Sequence, residues 1–239
     1  MKFEKTFSVA SSDVDINGKA KVSAYLKYFG ETASLHLRSV SLGMDTLANE
    51  GKAFFLSRVS ISIYAPLREY DEIEVSTWAC ESRAASFMRC AQIRRGGAIV
   101  AEIVSVWALV ELATRRILRV TDALAPFECE EMLELDLPQR FRIPDDVQLS
   151  LSGEFSVAYS VCDRNGHMNN TFYPDVLCDA LPSMEGKRVL SFSVHYENEA
   201  KLGEVFKVYA SRDDGEGGYW FRTVRRDGKT GIEAMMMIE

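Results

Sequence analysis

A chain of 239 residues, 47% apolar and 26% charged, has the composition of a globular protein with a full core, arranged as one large domain or two of ordinary size. Its net charge of −7 argues against nucleic acid as a partner. The five cysteines are scattered without Cys-x-x-Cys spacing, which argues against a disulfide framework or a zinc site and fits a reducing, cytoplasmic setting. The opening Met1-Lys2-Phe3-Glu4-Lys5 carries no apolar leader, and no run approaches the length of a membrane span.

Residues 2–10 alternate weakly (Phe3, Phe7, Val9) and predict a short strand. From Val22 to Leu42 apolar residues recur at Val22, Leu26, Phe29, Ala33, Leu37 and Val40, a helical period, with Gly43 placed to stop the helix. His36 falls in this helix, where a packed or solvated imidazole is commoner than a catalytic one. Residues 44–53 read as a loop or short helix. Four segments rich in β-branched and aromatic residues then predict strands: Leu56–Tyr64, Glu72–Arg83, Ala85–Arg95 and Ile99–Leu112. Between the last two, Arg94-Arg95-Gly96-Gly97-Ala98 is a hairpin signal. One long helix followed by an antiparallel sheet is an α+β order.

Residues 121–150 lose this periodicity. Pro126, Pro138 and Pro144, with the acids Glu128, Glu130, Glu131, Glu134 and Asp136, predict a linker with one short helix and a solvated acidic face. A second unit follows, with a strand at Glu154–Val161 and a helix marked by Phe172, Val176 and Ala180 that Pro182 ends. Strands then read at Arg188–Glu197, Glu204–Ala210, Gly218–Arg226 and Gly231–Ile238.

The two units repeat one another. Asp15, Asn17, Gly18 and Tyr25 match Asp163, Asn165, Gly166 and Tyr173, each at a shift of 148 (163 − 15 = 173 − 25 = 148), and Lys19 stands where the second copy has His167. Further along, Tyr64 pairs with Tyr196 and Glu72 with Glu204 at a shift of 132, and Arg225-Arg226-Asp227-Gly228 answers the first hairpin. Two such units predict a double hotdog, with residues 1–120 as the first unit, scaffold and lining of an apolar pocket, 121–150 as linker, and 151–239 as the second unit and seat of the site.

The stretch from Val161 to Tyr173 gathers an acid, amides, an imidazole and a phenol around a Gly turn before a helix. Asp163, Asn165 and His167 are two apart, so an extended or turning backbone can aim all three at one side. The free N–H groups of the following helix start are a further means of polarising a carbonyl. On composition alone, an Asn-rich strand-to-helix turn fits equally well. The second reading loses ground to the repeat, since the imidazole is kept in one copy only.

Over nearly its whole length the chain resembles the acyl-ACP thioesterase family, in a shorter bacterial form without a transit peptide. In the first half the resemblance rests on Phe55-Leu56-Ser57-Arg58, Ser76-Thr77-Trp78, Arg83 to Arg89, Val106-Trp107-Ala108-Leu109-Val110 and Arg115-Arg116-Ile117-Leu118-Arg119. In the second half it rests on Asp163-x-Asn165-x-His167-x-Asn169-Asn170-x-x-Tyr173 and Tyr196-Glu197-Asn198-Glu199. The resemblance implies hydrolysis of fatty acyl thioesters on acyl carrier protein, by a catalytic set of Asp163, Asn165, His167 and Glu199, with no cofactor and no metal. Plant members carry Cys directly after the Glu; here Ala200 excludes a thiol at that position, so the chemistry implied is carboxylate-based. Cys162 reads as a small hydrophobe, His195 as a neighbour matching no motif position, and Tyr173 as a packing or anchoring residue. Arg94, Arg95, Arg115, Arg116, Arg119, Arg225 and Arg226 are the basic residues available to meet an acidic carrier protein. An acyl-CoA thioesterase of the same fold and a non-catalytic acyl-binding hotdog module are the competing readings; oligomeric state, monomer or homodimer, stays open.

Overall fold

The computed structural model describes residues 2–119, 128–135, 142–212 and 215–239. The first unit runs β1 (Phe3–Ser8), α1 (Val22–Ser39), α2 (Met44–Asn49), β2 (Lys52–Ile63), β3 (Glu72–Ala79), β4 (Phe87–Arg95), β5 (Ala98–Glu111) and the two-residue β6 (Arg116–Ile117). The second runs β7 (Ser150–Ser156), α3 (Tyr173–Asp179), β8 (Val189–Tyr196), β9 (Val205–Ala210), β10 (Gly218–Arg225) and β11 (Thr230–Ile238).

Among the described residues, eleven strands join one antiparallel sheet in the order β1-β3-β4-β5-β2-β8-β11-β10-β9-β7, with β6 paired to β5. Read from the middle outward, the two halves have the same order, so β2 against β8 is the seam of a pseudo-dimer. This is the expected α+β double hotdog. Along the seam Val59 faces Val194 and Ile61 faces Phe192 on the helix side, where all four side chains are buried. On the other side Ser60 faces Ser193, and the Ser193 hydroxyl donates to Ser60 Oγ at 2.9 Å. α1 lays Val22, Tyr25, Leu26, Phe29 and Ala33 against the sheet, a helical stripe of buried positions. One hydrophobic core crosses the seam, joining Tyr25, Phe29, Ile61 and Ile103 of the first unit to Tyr173, Phe192, Phe206 and Phe221 of the second. No helix among the described residues is long and apolar enough to cross a membrane.

Several boundaries differ from the sequence expectation for local reasons. α1 stops at Ser39 rather than at Gly43, because Ser41 takes the left-handed conformation (φ 62°); Gly43 instead precedes α2. β2 begins at Lys52, four residues before Leu56, and a bulge between Leu56 and Arg58 lets the extra length follow β5 past the end of β8. The strand expected at 154–161 lies at Ser150–Ser156, and Tyr159–Val161 is a 3-10 turn. Of the linker, Pro126, Asp136 and Pro138 lie outside the described residues, and neither described stretch is helical. Residues 128–135 are less a spacer than a strap. The Trp78 indole N–H donates to the Glu131 carbonyl at 2.8 Å, while Leu133 and Leu135 pack on Trp78, Cys80, Cys90 and Val104. Glu128, Glu130, Glu131 and Glu134 are exposed, the solvated acidic face expected.

The repeat is in register, but not as the matching letters suggested. Ala20 N–H donates to the Leu67 carbonyl as Met168 N–H donates to Ala200, and Val9 N–H donates to Asp71 as Val157 N–H donates to Glu204. The shift over this part is therefore 133 (200 − 67 = 204 − 71 = 133). Tyr64 and Tyr196 are not counterparts: Tyr64 is exposed with its hydroxyl on Glu102, whereas Tyr196 packs on Tyr173 on the helix side. Glu204 answers Asp71, not Glu72; each pairs with an arginine, Glu204 with Arg225 and Asp71 with Arg95. In a strand a slip of one residue exchanges the two faces, so the shift of 132 cannot hold.

Phe192 is fully buried at the seam and touches both units, so Phe192→Ala is expected to cost about 3–5 kcal/mol in denaturant unfolding. His36 is buried, stacked on Phe3 at 5.4 Å, with Nδ1 3.0 Å from Arg89. Burial first and then the Arg89 guanidinium hold its pKa down at about 4, against 6.5 in an open chain. An unfolded chain takes up this proton first, so the stability is complete above the unfolded value of 6.5 and is lost as pH falls from there toward 4. Melting temperatures followed from about pH 7 to about pH 4 should fall less for His36→Gln than for wild type; equal slopes would remove His36 from the acid response.

Candidate active site

The loop that carries the site is built around one carboxylate. Asp163 Oδ1 accepts the N–H of Asn165 at 2.8 Å and of His167 at 3.2 Å, and Oδ2 accepts from Asn165 Nδ2 at 3.3 Å. Asp163 N–H donates to the His167 carbonyl at 2.8 Å, and Gly166 takes φ 75°, a conformation a side chain would strain. The first copy repeats this bond for bond. Asp15 Oδ1 accepts from Asn17 N–H at 2.8 Å and Lys19 N–H at 3.1 Å, Oδ2 accepts from Asn17 Nδ2 at 3.4 Å, and Gly18 has φ 64°. Asp and Asn therefore shape an Asx-type loop wherever they occur in this chain.

What the second copy adds is a pair. The residues 199–202 run beside the loop: Met168 N–H donates to the Ala200 carbonyl at 2.8 Å, His167 bridges Lys201, and Leu202 N–H donates to Gly166 at 3.0 Å. This pairing sets Glu199 next to the imidazole, with His167 Nδ1 3.1 Å from Glu199 Oε2. Asp163 and His167 are half-buried, while Asn165 and Glu199 are exposed. All four expected residues thus lie together, in the loop and in the segment paired with it. In the first copy Lys19 replaces His167, and the shift of 133 puts Pro66 in the place of Glu199 (199 − 133 = 66). The first copy lacks both members of the pair and keeps both members of the frame.

Tyr173 is buried, with its hydroxyl bonded to the backbone of Ala200, as the Tyr25 hydroxyl accepts the Leu67 N–H at 2.9 Å. It anchors the segment that holds Glu199. Burial, the dominant cause, pushes its pKa well up, so the phenol stays protonated. Arg164 and Asp45 (3.0 Å) tie the loop to α2 of the first unit, a contact that sequence spacing did not reveal.

Some expectations change. The N–H groups at the helix start are not all free to polarise a carbonyl, since Thr171 N–H donates to Asn169 Oδ1 at 3.0 Å and Phe172 N–H to the Asn169 carbonyl at 3.0 Å. Cys162 turns its thiol to the Ala158 carbonyl at 3.3 Å and packs against the core. His195 lies on the other face of the sheet, across from Arg58 and Glu233. Arg94 bonds within its own hairpin to Gly97 and to Gln92, whereas Arg95 is tied to Asp71 and Arg225 to Glu204, in the segments that lead into β3 and β9. Arg115, Arg116, Arg119 and Arg226 are exposed.

The N-terminal domain model of acyl-ACP thioesterases matches residues 1–126, and the C-terminal domain model matches 145–236. The chain belongs to the acyl-ACP thioesterase family. Among curated relatives, a chloroplastic acyl-[acyl-carrier-protein] hydrolase of Cuphea viscosissima is 22% identical over 237 residues, covering 91% of this chain and 57% of the relative. Oleoyl-acyl carrier protein thioesterase 2 of Arabidopsis thaliana is 26% identical over 228 residues, 85% of this chain and 61% of the relative. The chain thus spans less than two thirds of these relatives' length. Its fold matches an acyl-ACP thioesterase from Bacteroides thetaiotaomicron with a TM-score of 0.89 at 20% identity, over 100% of this chain and 98% of that one. It also matches the 12:0-ACP thioesterase of Umbellularia californica with a TM-score of 0.79 at 18% identity, over 100% and 97%.

In this family setting the His167–Glu199 pair stands out as the feature that separates the second loop from the first. Glu199→Gln keeps the shape and removes the charge that orients the imidazole, so kcat is expected to fall about 10²–10⁴-fold with the melting temperature little changed. Steady-state kinetics beside a thermal melt checks this, and a variant of normal kcat would remove Glu199 from the chemistry.

Proposed function

We propose that this protein hydrolyses the thioester between a fatty acyl chain and the phosphopantetheine arm of acyl carrier protein, releasing free fatty acid in fatty acid synthesis. The observation that carries the reading is the 3.1 Å His167–Glu199 contact, present in one copy of a duplicated loop and replaced by Lys19 and Pro66 in the other. Family membership supplies the substrate class, and the scattered cysteines without Cys-x-x-Cys spacing support the cytoplasm as its compartment.

The roles follow from the bonds. Glu199 accepts from His167 Nδ1 and so fixes the tautomer with Nε2 free to accept a proton. Water attacks the carbonyl carbon as His167 takes its proton, and Glu199 stabilises the imidazolium. The tetrahedral intermediate then breaks its carbon–sulfur bond, and the imidazolium proton passes to the departing thiolate. Asp163 is a positioning residue: its oxygens are engaged by loop N–H groups in the same manner as those of Asp15, where no reaction partner exists. This allots the base to His167, where carboxylate-based chemistry was expected. Phe54, Leu56, Phe87 and Trp107, half-buried apolar side chains on the helix-facing side of the first unit, offer a surface for the acyl chain.

The test is thiol release from acyl-ACP and acyl-CoA panels, with Asp163→Asn beside Glu199→Gln. Asp163→Asn keeps an oxygen for the loop N–H groups and should retain kcat within about tenfold, whereas Glu199→Gln loses about 10²-fold or more. Equal collapse of both would return Asp163 to the chemistry. Faster turnover of acyl-CoA would move the substrate to the coenzyme A thioester, and acyl binding without thiol release would leave an acyl-binding module.

A further inference from the structure

The first unit holds a second group of reactive side chains, on the side of the sheet away from the helices. Cys90 is in register with Val104, and Val104 with Ser60, which places its thiol on the same side as the Ser60–Ser193 pair. Cys80 follows β3 and donates its N–H to the Met88 carbonyl at 3.0 Å, so it is the diagonal neighbour of Cys90 on that side. The two sulfurs are 3.3 Å apart, and the residues are 1% and 0% exposed. A disulfide bond is about 2.05 Å long, so the sulfurs need to approach by only about 1.2 Å. Cys80 lies beyond Ala79, the last residue of β3, where the regular ladder ends and the chain can take up that movement. Among the described residues, no three His, Cys, Asp or Glu side chains are grouped to hold a metal, so the pair lacks the further ligands a metal site needs.

The strap 128–135 covers the pair. Leu133 and Leu135 pack against the group of Trp78, Cys80, Cys90 and Val104, and Leu133 N–H donates to Cys90 Sγ at 3.4 Å. Glu130 N–H donates to the Ala79 carbonyl at 2.9 Å, beside the Trp78 bond to Glu131. A short segment held by a few such bonds and half-buried leucines opens locally at far less cost than the sheet beneath it. The Cys80 S–H, donated to Cys90 Sγ, favours the Cys90 thiolate and holds its pKa below the usual thiol value against the effect of burial. The Leu133 N–H acts in the same direction. The Cys80 pKa is pushed up, because its proton is the one shared and the thiol is buried. Cys90 is therefore the nucleophile of the pair and Cys80 the resolving thiol.

We propose that Cys80 and Cys90 form a redox modification site, a dithiol that a peroxide-class oxidant converts to a disulfide when the strap lifts. The Cys90 thiolate attacks one peroxide oxygen, the O–O bond breaks and hydroxide leaves, giving a sulfenic acid. The Cys80 sulfur then attacks the Cys90 sulfur; the S–S bond forms, and the sulfenic hydroxyl leaves with the Cys80 proton as water. The hydroxide of the first step takes up the proton that Cys90 gave. Two thiols are oxidised by two electrons in all, and one peroxide is reduced to two waters. A thiol reductant reverses the bond by exchange. None of these steps uses the His167–Glu199 pair, so the site stands independently of the thioesterase reading.

The experiment treats the reduced protein with hydrogen peroxide at neutral pH, then alkylates it under denaturing conditions and weighs it. Alkylated cysteines should fall from five to three (5 − 2 = 3), and dithiothreitol should restore all five. Trypsin cuts after Arg83 and Arg89, so the Cys80 peptide that ends at Arg83 and the peptide that begins at Cys90 should appear as one linked mass. Cys80→Ala should instead leave Cys90 as a sulfenic acid that dimedone traps, and Cys90→Ala should form no link. Leu133→Ala thins the cover without touching the sheet and should speed the link by about three- to tenfold. A link from either residue to exposed Cys129, or five alkylated cysteines after a dose that oxidises free cysteine, would overturn the assignment. An unchanged rate in Leu133→Ala would remove the strap as the gate. The wild-type mass and peptide results need no variant, so they decide the proposal even where a variant fails to fold.

Discussion

The pairing of β2 with β8 is the constraint on which the rest of the molecule depends. It turns two half-sheets into one and leaves both faces of the seam buried, Val59, Ile61, Phe192 and Val194 toward the helices and the Ser60–Ser193 hydroxyl pair on the other side. It also makes each loop a composite of both units. The first-copy loop meets the turn after α3, and the second-copy loop meets α2 through Arg164 and Asp45. Neither loop's surroundings are complete within a single unit, and the two loops differ in the segment that packs against them.

The duplication separates shape from chemistry within one chain. Asp15 and Asn17 persist in a loop that has neither His nor Glu, and their bonds match those of Asp163 and Asn165 closely. A carboxylate that accepts several N–H groups in a turn is a structural device whatever else surrounds it. The imidazole and the carboxylate beside it, by contrast, occur once, held together by the strand-like pairing of residues 199–202 with the loop. Each Tyr hydroxyl, Tyr25 and Tyr173, secures the segment opposite its own loop, so the anchor is common to both copies and only the residue anchored differs.

The interior of the first unit is not uniformly apolar. Arg89 is buried, with Nη1 on His36 Nδ1 at 3.0 Å and on Thr77 Oγ1 at 3.2 Å. Beside it the Trp107 indole donates to Ser105 Oγ at 2.9 Å. A buried guanidinium needs acceptors, and a neutral imidazole supplies one; this is the physical reason that burial and Arg89 together disfavour the charged form of His36. The first unit thus holds a polar layer among its aromatic side chains.

Much of this was legible in the order of residues. Helical spacing placed α1, because one of its faces is buried, and runs of β-branched and aromatic residues placed the long strands, several of which are buried on both faces. The repeat of Asp-x-Asn-Gly at a shift of 148 located the loop, because its turn demands an acceptor and a residue with positive φ. Local signals failed where partners lie far off in the chain. Matching letters paired Tyr64 with Tyr196, but strand pairing set the shift at 133 and put the two on opposite faces. Glu199 has no local mark at all and was reached through family resemblance; only the pairing of residues 199–202 with the loop explains why it meets His167. By itself the sequence determined two units, one order of elements and a loop written twice, since these depend on short-range patterns. Which segment packs against each loop, which carboxylate frames and which meets the imidazole were decided by tertiary structure, because hydrogen bonds between distant segments exist only once the sheet has closed across its seam.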